Sequence, residues 1–392
     1  MIFLYATQKP HFMLSSKKTI YFEGLNGLRF IAAFAVIVTH IELIKSSFGM
    51  KNYWKNPLVF NLGGLGVYFF FVLSGFLITY LLLAEKKRFH TIDIKSFYIR
   101  RILRIWPLYY AILFIGFFIL PQFQYFEIPY LKNSFSENFS ENLILYALIL
   151  PNLAFSLYPA VPNIGQTWSI GVEEQFYLIW PWIILKSKYV VKTLLLIIIG
   201  LIAVKVGILI LGNFYKDSSW YEPLKLFVAM SKFECMAIGG LGAYFVFTEN
   251  KLLRYLNHKA FFLGSLLGTA LLVFYTPNMI QDGIHLVYSL LFLLMIIYVS
   301  EFKKVPFLEN SILNDLGKIS YGIYMYHFMV IPAVLTCIKP YNNCMNEISF
   351  NVIIYFSVII LTIIVSKISY SILEKPIIKM KDKYAIIKSG EK

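Results

Sequence analysis

Charged residues are scarce in this chain. Only 15% of its 392 residues are Asp, Glu, Lys or Arg, whereas 58% are hydrophobic. A soluble domain carries about 25% charged residues, so the composition excludes an ordinary soluble protein. Apolar runs of about 20 residues, long enough to cross a bilayer as a helix, recur along the whole sequence. The sequence therefore predicts an all-α polytopic membrane protein.

Cysteine is also rare. The three cysteines, Cys235, Cys337 and Cys344, have neither metal-ligand spacing nor an even-numbered disulfide framework. Pairing of Cys337 with Cys344 in an oxidising compartment is one alternative, and unpaired buried thiols are the simpler interpretation. We expect no metal and no permanently bound cofactor.

Acidic residues are outnumbered by basic ones. The chain has 36 Lys and Arg against 21 Asp and Glu, which gives a net charge of +15. In a soluble protein this excess would suggest nucleic-acid binding. Here the basic residues occupy short loops between apolar runs, which is the pattern of cytoplasmic loops in membrane proteins. We therefore expect membrane lipid, and no nucleic acid, around this chain.

About ten transmembrane helices account for the hydropathy, with both termini and the basic loops on the cytoplasmic side. Residues 143–158 are apolar but are interrupted by Pro151 and Pro159. We predict that they form a short extracytoplasmic or re-entrant element between spans 3 and 4. The predicted spans are 28–45, 62–84, 105–120, 175–190, 193–212, 224–247, 260–275, 284–300, 319–338 and 351–373.

These spans divide the chain into three regions. Residues 1–27 form a cytoplasmic N-terminal segment, residues 28–373 the membrane domain, and residues 374–392 a basic cytoplasmic tail. Lys17 and Lys18 precede the first span as in a signal anchor, and no convincing cleavage site follows it. We therefore expect the first span to be retained.

Ionisable residues inside spans are costly and are therefore candidates for function. Arg29 and His40 are eleven residues apart in the first span, which is a rise of about 16 Å along a helix. Imidazole exchanges a proton near neutral pH, so His40 is a candidate general base. The alternative makes Arg29 a positive-inside anchor and His40 a polar helix end. Sequence physics alone leaves both interpretations open.

A run of arginines precedes the third span. On a helix, Arg100 and Arg104 share one face, and Arg101 is three residues from Arg104. Guanidinium groups bind phosphate in bidentate geometry, so this patch suits the phosphates of CoA. A topogenic or lipid-binding patch is the commoner meaning of arginines beside a membrane.

The stretch that enters the fourth span is the most unusual. Glu173 and Glu174 are adjacent carboxylates close to Trp168 and Ser169. Adjacent residues on a helix point about 100° apart, so the two carboxylates should do different jobs. One of them could orient or polarise His40. A solvated helix start is the competing interpretation, because acidic residues favour helix N-termini.

Further polar residues lie within other spans. Ser74 is a possible nucleophile, but no base accompanies it in sequence, and an activated nucleophile needs one. Glu234 follows Lys232 in the sixth span, and His327 lies in the ninth. Lys205 is an isolated charge in the fifth span that has no explanation from sequence.

Together and in order, these motifs resemble acyltransferase family 3, the membrane acyltransferases that modify bacterial surface glycans. The resemblance runs from about Gly24 to Pro376, and no single motif is specific. The motifs are Gly27-Leu28-Arg29 with His40, Phe71 to Leu77, Arg100-Arg101 with Arg104 and Pro107, Trp168-Ser169 with Glu173 to Tyr177, Ser231 to Glu234, Ser320-Tyr321 with His327, and Glu374-Lys375-Pro376.

The resemblance implies transfer of an acyl group, by default acetyl, from cytoplasmic acyl-CoA to a hydroxyl of a surface or lipid-linked carbohydrate. It implies a multi-pass protein of the bacterial inner membrane, with acyl-CoA as a donor substrate. The implied catalytic residues are His40, Glu173, Glu174 and Arg29; the implied CoA ligands are Arg100, Arg101 and Arg104; the implied substrate-binding residues are Trp168, Ser169, Tyr177, Glu234 and His327.

The chain departs from the family pattern at two points. Lys232 stands where the family usually has arginine, which keeps the charge but loses the planar fork. Some relatives also carry a fused extracytoplasmic domain that finishes the transfer. We expect this chain to use a separate extracytoplasmic transferase or to act directly on the acceptor.

A transporter or flippase for a glycan or lipid-linked sugar is the main alternative from another class. Ten spans and intramembrane charges suit it equally well. Transporters often contain internal repeats and paired broken helices, and the sequence has no convincing repeat. Consumption of acyl-CoA would separate the two functions.

Overall fold

The computed structural model describes residues 20–131, 136–256, 258–275, 281–301 and 305–384. Regular structure in these ranges is helical, which confirms the all-α membrane architecture. The helices are α1 Leu25–Ser47, α2 Pro57–Phe89, α3 Ile94–Phe114, α4 Phe139–Ala147, α5 Pro151–Leu157, α6 Trp168–Lys186, α7 Val190–Tyr215, α8 Tyr221–Met230, α9 Phe233–Phe247, α10 Leu253–Leu256, α11 Lys259–Tyr275, α12 Gln281–Glu301, α13 Ser311–Lys318, α14 Ser320–Ile338, α15 Glu347–Ser369 and α16 Lys375–Met380.

Each predicted span coincides with helix in the described part of the chain. Eight helical stretches there are long and apolar enough to cross a membrane. The other two are α6, whose first half carries Glu173, Glu174 and Gln175, and α11, which has 17 residues. The third span is longer than predicted, because α3 begins at Ile94 and takes the arginine run into the same helix.

The predicted short element between spans 3 and 4 is a pair of helices, α4 and α5. They have nine and seven residues, which is about 13 Å and 10 Å of helix and too short to cross a bilayer. The side-chain amides of Asn152 in α5 and Gln175 in α6 exchange two hydrogen bonds, of 3.1 Å and 2.8 Å. This amide pair holds the short element against α6.

The sixth span, predicted as one helix over 224–247, is broken. Helix α8 ends at Met230, and α9 begins at Phe233. Lys232 leaves the helical conformation at the break, with φ −94° and ψ 42°. A hydropathy window averages over such a two-residue interruption and cannot detect it.

Helices α2 and α9 approach each other through glycines. A Cβ atom on Gly75 would overlap the carbonyl oxygen of Met236, and a Cβ on Gly239 would overlap that of Val72. Only glycine permits this distance, so the two backbones are in direct contact.

The expected burial of the cysteines is right for Cys235 and wrong for Cys337 and Cys344, which are exposed. All three are free thiols.

Candidate active site

A cavity of about 290 Å³ lies among α1, α2, α3, α6 and α14. Small-molecule sites typically measure about 300–1,000 Å³, so this cavity suits a slender part of a ligand. Apolar side chains of α2 form one wall. The polar residues that line it are Tyr21, Asn26, Arg29, Ser74, Arg101, Arg104, Ser169, Glu173, Tyr177, Lys318, Ser320, Tyr321, Tyr324, Tyr370 and Lys381.

Three arginines converge on one end of the cavity, which we call the basic end. Arg29 comes from α1, and Arg101 and Arg104 come from α3. The Arg101 guanidinium lies over the Tyr177 ring, 5.7 Å from its centroid. The Nη1 atom of Arg29 donates to Asn26 Oδ1 at 3.0 Å. Three cations that line the same cavity from two helices form a site for an anion such as a phosphate.

Arg100 does not line this cavity. Its Nη2 atom lies 3.4 Å from Glu85 Oε2, and its Nη1 atom donates to the Tyr384 carbonyl at 2.7 Å. Both ends of its fork therefore contact protein groups. The structure brings together two of the three arginines predicted to bind CoA, and it adds Arg29 to them.

The adjacent carboxylates face different surroundings, as the helical period predicts. Glu173 lines the cavity close to the hydroxyls of Ser74 and Tyr177. These two hydroxyls also share a short hydrogen bond. Glu174 accepts a hydrogen bond from Trp106 Nε1 at 2.8 Å. Ser74 thus has a carboxylate beside it that sequence proximity did not reveal.

His40 contacts His327. The Nδ1 atom of His40 lies 2.7 Å from Nε2 of His327, and the two rings are parallel within 5°. His327 is fully buried, whereas His40 is partly exposed. The predicted contact of Glu173 or Glu174 with the His40 imidazole is not in the structure. Because Nδ1 of His40 is engaged, its Nε2 is the ring nitrogen available to a reactant.

Tyr324 connects the cavity to this histidine pair. It forms hydrogen bonds with Ser169 Oγ at 2.7 Å and with the Gln166 carbonyl at 2.9 Å. Its ring centroid lies 5.7 Å from that of His327, which follows one turn later in α14, a rise of about 4.5 Å. We call this side of the cavity the histidine end.

Three predicted substrate-binding residues do not line the cavity: His327, described above, Trp168 and Glu234. Trp168 packs against Phe71, with ring centroids 6.2 Å apart. Glu234 is fully buried and forms an ion pair with Lys205 and a 2.7 Å contact with Nε2 of His285. The structure therefore explains Lys205, which neutralises a carboxylate inside the membrane domain.

Glu234, Cys235 and His285 also place their ligand atoms within 4.8 Å of one another, as a metal site would. The ammonium of Lys205 is already paired with the carboxylate, and Lys232 Nζ lies 3.5 Å from Nδ1 of His285. Two cations beside the same donors disfavour a third, so we interpret this cluster as an ion-pair network.

Sequence reasoning missed the residues that hold Arg29. The Asn26 amide that accepts from Arg29 donates to Asn314 Oδ1 at 2.8 Å, and the hydroxyl of Tyr21 donates to the same atom at 3.2 Å. Asn314 lies in α13, 288 residues after Asn26. A neutral residue at such separation carries no spacing signal, so only the fold reveals it.

Comparison with known proteins gives one family. A family model described as an acyltransferase domain matches residues 22–370. The chain is 27% identical to YrhL of Bacillus subtilis over 381 residues, 26% identical to O-acetyltransferase OatA of Staphylococcus aureus over 380 residues, and 27% identical to peptidoglycan O-acetyltransferase OatA of Listeria monocytogenes over 382 residues.

These alignments cover 91–92% of the chain but only 55–57% of each relative. The chain thus spans little more than half the length of the relatives it matches. No solved structure matches it significantly.

Proposed function

From the membership of this chain in the acyltransferase domain family, we propose that it transfers an acetyl group from acyl-CoA to a hydroxyl of a cell-wall carbohydrate. The observation that carries the proposal is the arrangement around the cavity. Three arginines lie at its basic end, and the hydrogen-bonded pair of His40 and His327 lies one helical turn beyond Tyr324 at its histidine end. This arrangement suits a donor with an anionic head and a reactive tail.

The basic end suits the phosphates of CoA. Arg29, Arg101 and Arg104 supply fixed, permanently charged forks, and Lys318 and Lys381 add two ammonium groups to the lining. The cavity is too small for a whole nucleotide donor. In our proposal the phosphates stay at the arginines, and the pantetheine arm enters the cavity towards Tyr324.

The distance along α1 agrees with this placement. Arg29 and His40 are separated by about 16 Å of helix rise, which is of the order of an extended pantetheine arm. The thioester carbonyl then arrives near the histidine end. Phosphates at one membrane face and chemistry near the other would move the acyl group outward without moving the donor.

The chemistry is acyl transfer with His40 as general base. Nε2 of His40 takes the proton of the acceptor hydroxyl while the hydroxyl oxygen attacks the thioester carbonyl. The C–S bond breaks, its electron pair stays on sulfur, and the thiolate takes up that proton from the imidazolium. The products are an ester and free CoA. His327 holds His40 in the required orientation through their shared hydrogen bond.

The acceptor class follows from the relatives. OatA of Listeria monocytogenes is named a peptidoglycan O-acetyltransferase, so a peptidoglycan or related cell-wall sugar is the acceptor we propose. We place the protein in the bacterial inner membrane with the basic end and both termini in the cytoplasm. A separate extracytoplasmic transferase is a proposed partner, and direct transfer is the alternative.

The decisive experiment joins two measurements. Purified full-length chain, reconstituted in lipid vesicles with acetyl-CoA and soluble muropeptides, is assayed for free thiol release. In parallel, mass spectrometry determines the masses of cell-wall glycans from cells with and without the gene. Acceptor-dependent thiol release and loss of an acetyl mass increment on deletion are expected. Normal acetylation with reduced glycan export would replace this proposal with a transporter.

A further inference from the structure

Two aromatic rings close the histidine end of the cavity. Phe70 of α2 and Tyr324 of α14 both line the cavity, and their ring centroids lie 6.1 Å apart at an interplanar angle of 67°. Among the described residues that line the cavity, neither His40 nor His327 is present. The aromatic pair therefore bounds the cavity on the side that faces the histidine pair.

Tyr324 is held in place by its neighbours. It is buried, and its hydroxyl contacts both Ser169 Oγ and the Gln166 carbonyl. The Gln166 side chain in turn donates to the Met325 carbonyl at 2.7 Å. Swinging the ring aside would leave buried polar groups without partners, which is costly. Tyr324 is thus a fixed wall.

Phe70 supplies the opposite wall. Its side chain is partly buried and packs against both apolar cores of the protein, the larger one around α2 and the smaller one around α1 and α14. Close packing on both sides restricts its rotamers. Centroids 6.1 Å apart in an edge-to-face arrangement are in contact, so the two rings form a closed wall at this end of the cavity.

On the basis of the proposed function, we infer that Phe70 and Tyr324 determine the length of the acyl group, and that the site selects acetyl over longer chains. With the phosphates held at the basic end, the acyl tail of the donor reaches this aromatic wall. A two-carbon acyl group adds one methyl beyond the carbonyl. Each further methylene would have to overlap ring atoms that cannot move, and overpacking is destabilising.

The preference for acetyl over a longer acyl group should be large enough to measure. A hydrophobic pocket discriminates about 10–200-fold for one methylene, so acetyl should be favoured over butanoyl by at least about tenfold. Removal of the Phe70 ring should abolish most of that preference. The acetyl reaction itself needs the aromatic wall only as a boundary, so it should continue.

The test is a competition in one tube. Purified full-length chain is mixed with soluble muropeptides as the acceptor and with equal concentrations of acetyl-CoA and butanoyl-CoA. Mass spectrometry measures the consumption of each donor. Phe70→Ala and the milder Phe70→Leu are compared with wild type. Because both donors meet the same molecules, the ratio is independent of how much protein is folded.

Phe69→Ala is the matched control. Phe69 is the adjacent phenylalanine in α2, but its ring packs on Phe292, with centroids 5.5 Å apart, and it does not line the cavity. We expect it to keep the wild-type ratio. Tyr324→Phe keeps the ring but removes the hydroxyl that anchors it, and should shift the ratio towards butanoyl less than Phe70→Ala does.

Two results would overturn the inference while leaving the proposed function intact. One is equal use of acetyl-CoA and butanoyl-CoA by wild type. The other is an unchanged ratio in Phe70→Ala and Phe70→Leu while both still consume acetyl-CoA. Failure of wild type to consume either donor would instead overturn the proposed function.

Discussion

His40 and His327 are 287 residues apart in sequence, yet their ring nitrogens Nδ1 and Nε2 lie 2.7 Å apart within the membrane domain. One nitrogen must donate and the other accept, so the contact fixes the tautomer of each ring relative to the other. In serial order the two residues belong to the first and the ninth predicted spans. Their pairing makes them one chemical unit.

A unit of two histidines predicts non-additive effects. We expect His40→Ala to lower thiol release from acetyl-CoA by about 10²–10⁴-fold, the usual contribution of a general base. His327→Ala should lower it less, and the double variant should be no worse than His40→Ala alone. His258→Ala, at an exposed histidine, is the control. Multiplication of the two single effects would show that the residues act independently.

The basic end predicts a donor-affinity phenotype. Arg101→Ala should raise the KM for acetyl-CoA by about tenfold or more, because a hydrogen bond to a charged group contributes about 1.5–3 kcal/mol. Arg101→Lys should recover only part of this, since lysine lacks the planar fork. Arg88→Ala, at an exposed arginine one loop away, should leave KM unchanged. A fall in kcat at constant KM would place Arg101 in the chemical step instead.

The buried ion pair of Lys205 and Glu234 predicts a stability phenotype. Breaking a buried pair by removing one partner costs about 3–5 kcal/mol, whereas replacing both with apolar residues is often neutral. Glu234→Ala should therefore lower the thermal unfolding temperature in detergent more than the double variant Lys205→Met with Glu234→Met. Lys225→Ala removes an exposed pair with Glu222, which contributes about 0–1 kcal/mol. If all of these variants have the same thermal unfolding temperature, the buried pair has no special role in stability.

The glycine contacts predict a position-dependent effect of one methyl group. Gly75→Ala and Gly239→Ala each place a Cβ on a carbonyl oxygen of the facing helix, and such overpacking typically costs about 1–3 kcal/mol. Gly200→Ala and Gly207→Ala lie in α7, where no atom lies within 4 Å of the added Cβ. Those two should be neutral or stabilising, because alanine favours helix. Thermal unfolding of the four variants tests this, and equal melting temperatures would contradict it.

Much of the fold follows from the sequence. Hydropathy located the spans because each is a continuous apolar run, and prolines marked 143–158 as an element too interrupted to cross. The adjacent carboxylates Glu173 and Glu174 were separable by the 100° helical period alone. These features are local, and local periodicity is what a sequence records best.

The missing parts are those that depend on lateral neighbours. Topology placed His40 on the same side as Glu173, but it could not say which helix packs against α1 at that depth, and the partner is His327. Lys205 had no explanation because Glu234 lies on another helix. Hydropathy does not detect the break at Ser231 and Lys232, because two polar residues barely change the mean hydropathy of an apolar window.

The two faces of helix α2 have different structural roles. One face forms the apolar wall of the cavity, and the other touches the backbone of α9 through Gly75 and Gly239. A helix in backbone contact with its neighbour has no soft side chains between them to compress, so that wall cannot retreat. On the opposite side, the hydrogen bond between Ser169 of α6 and Tyr324 of α14 holds the second wall. The width of the cavity is therefore set before any ligand arrives, and a donor must fit the existing space.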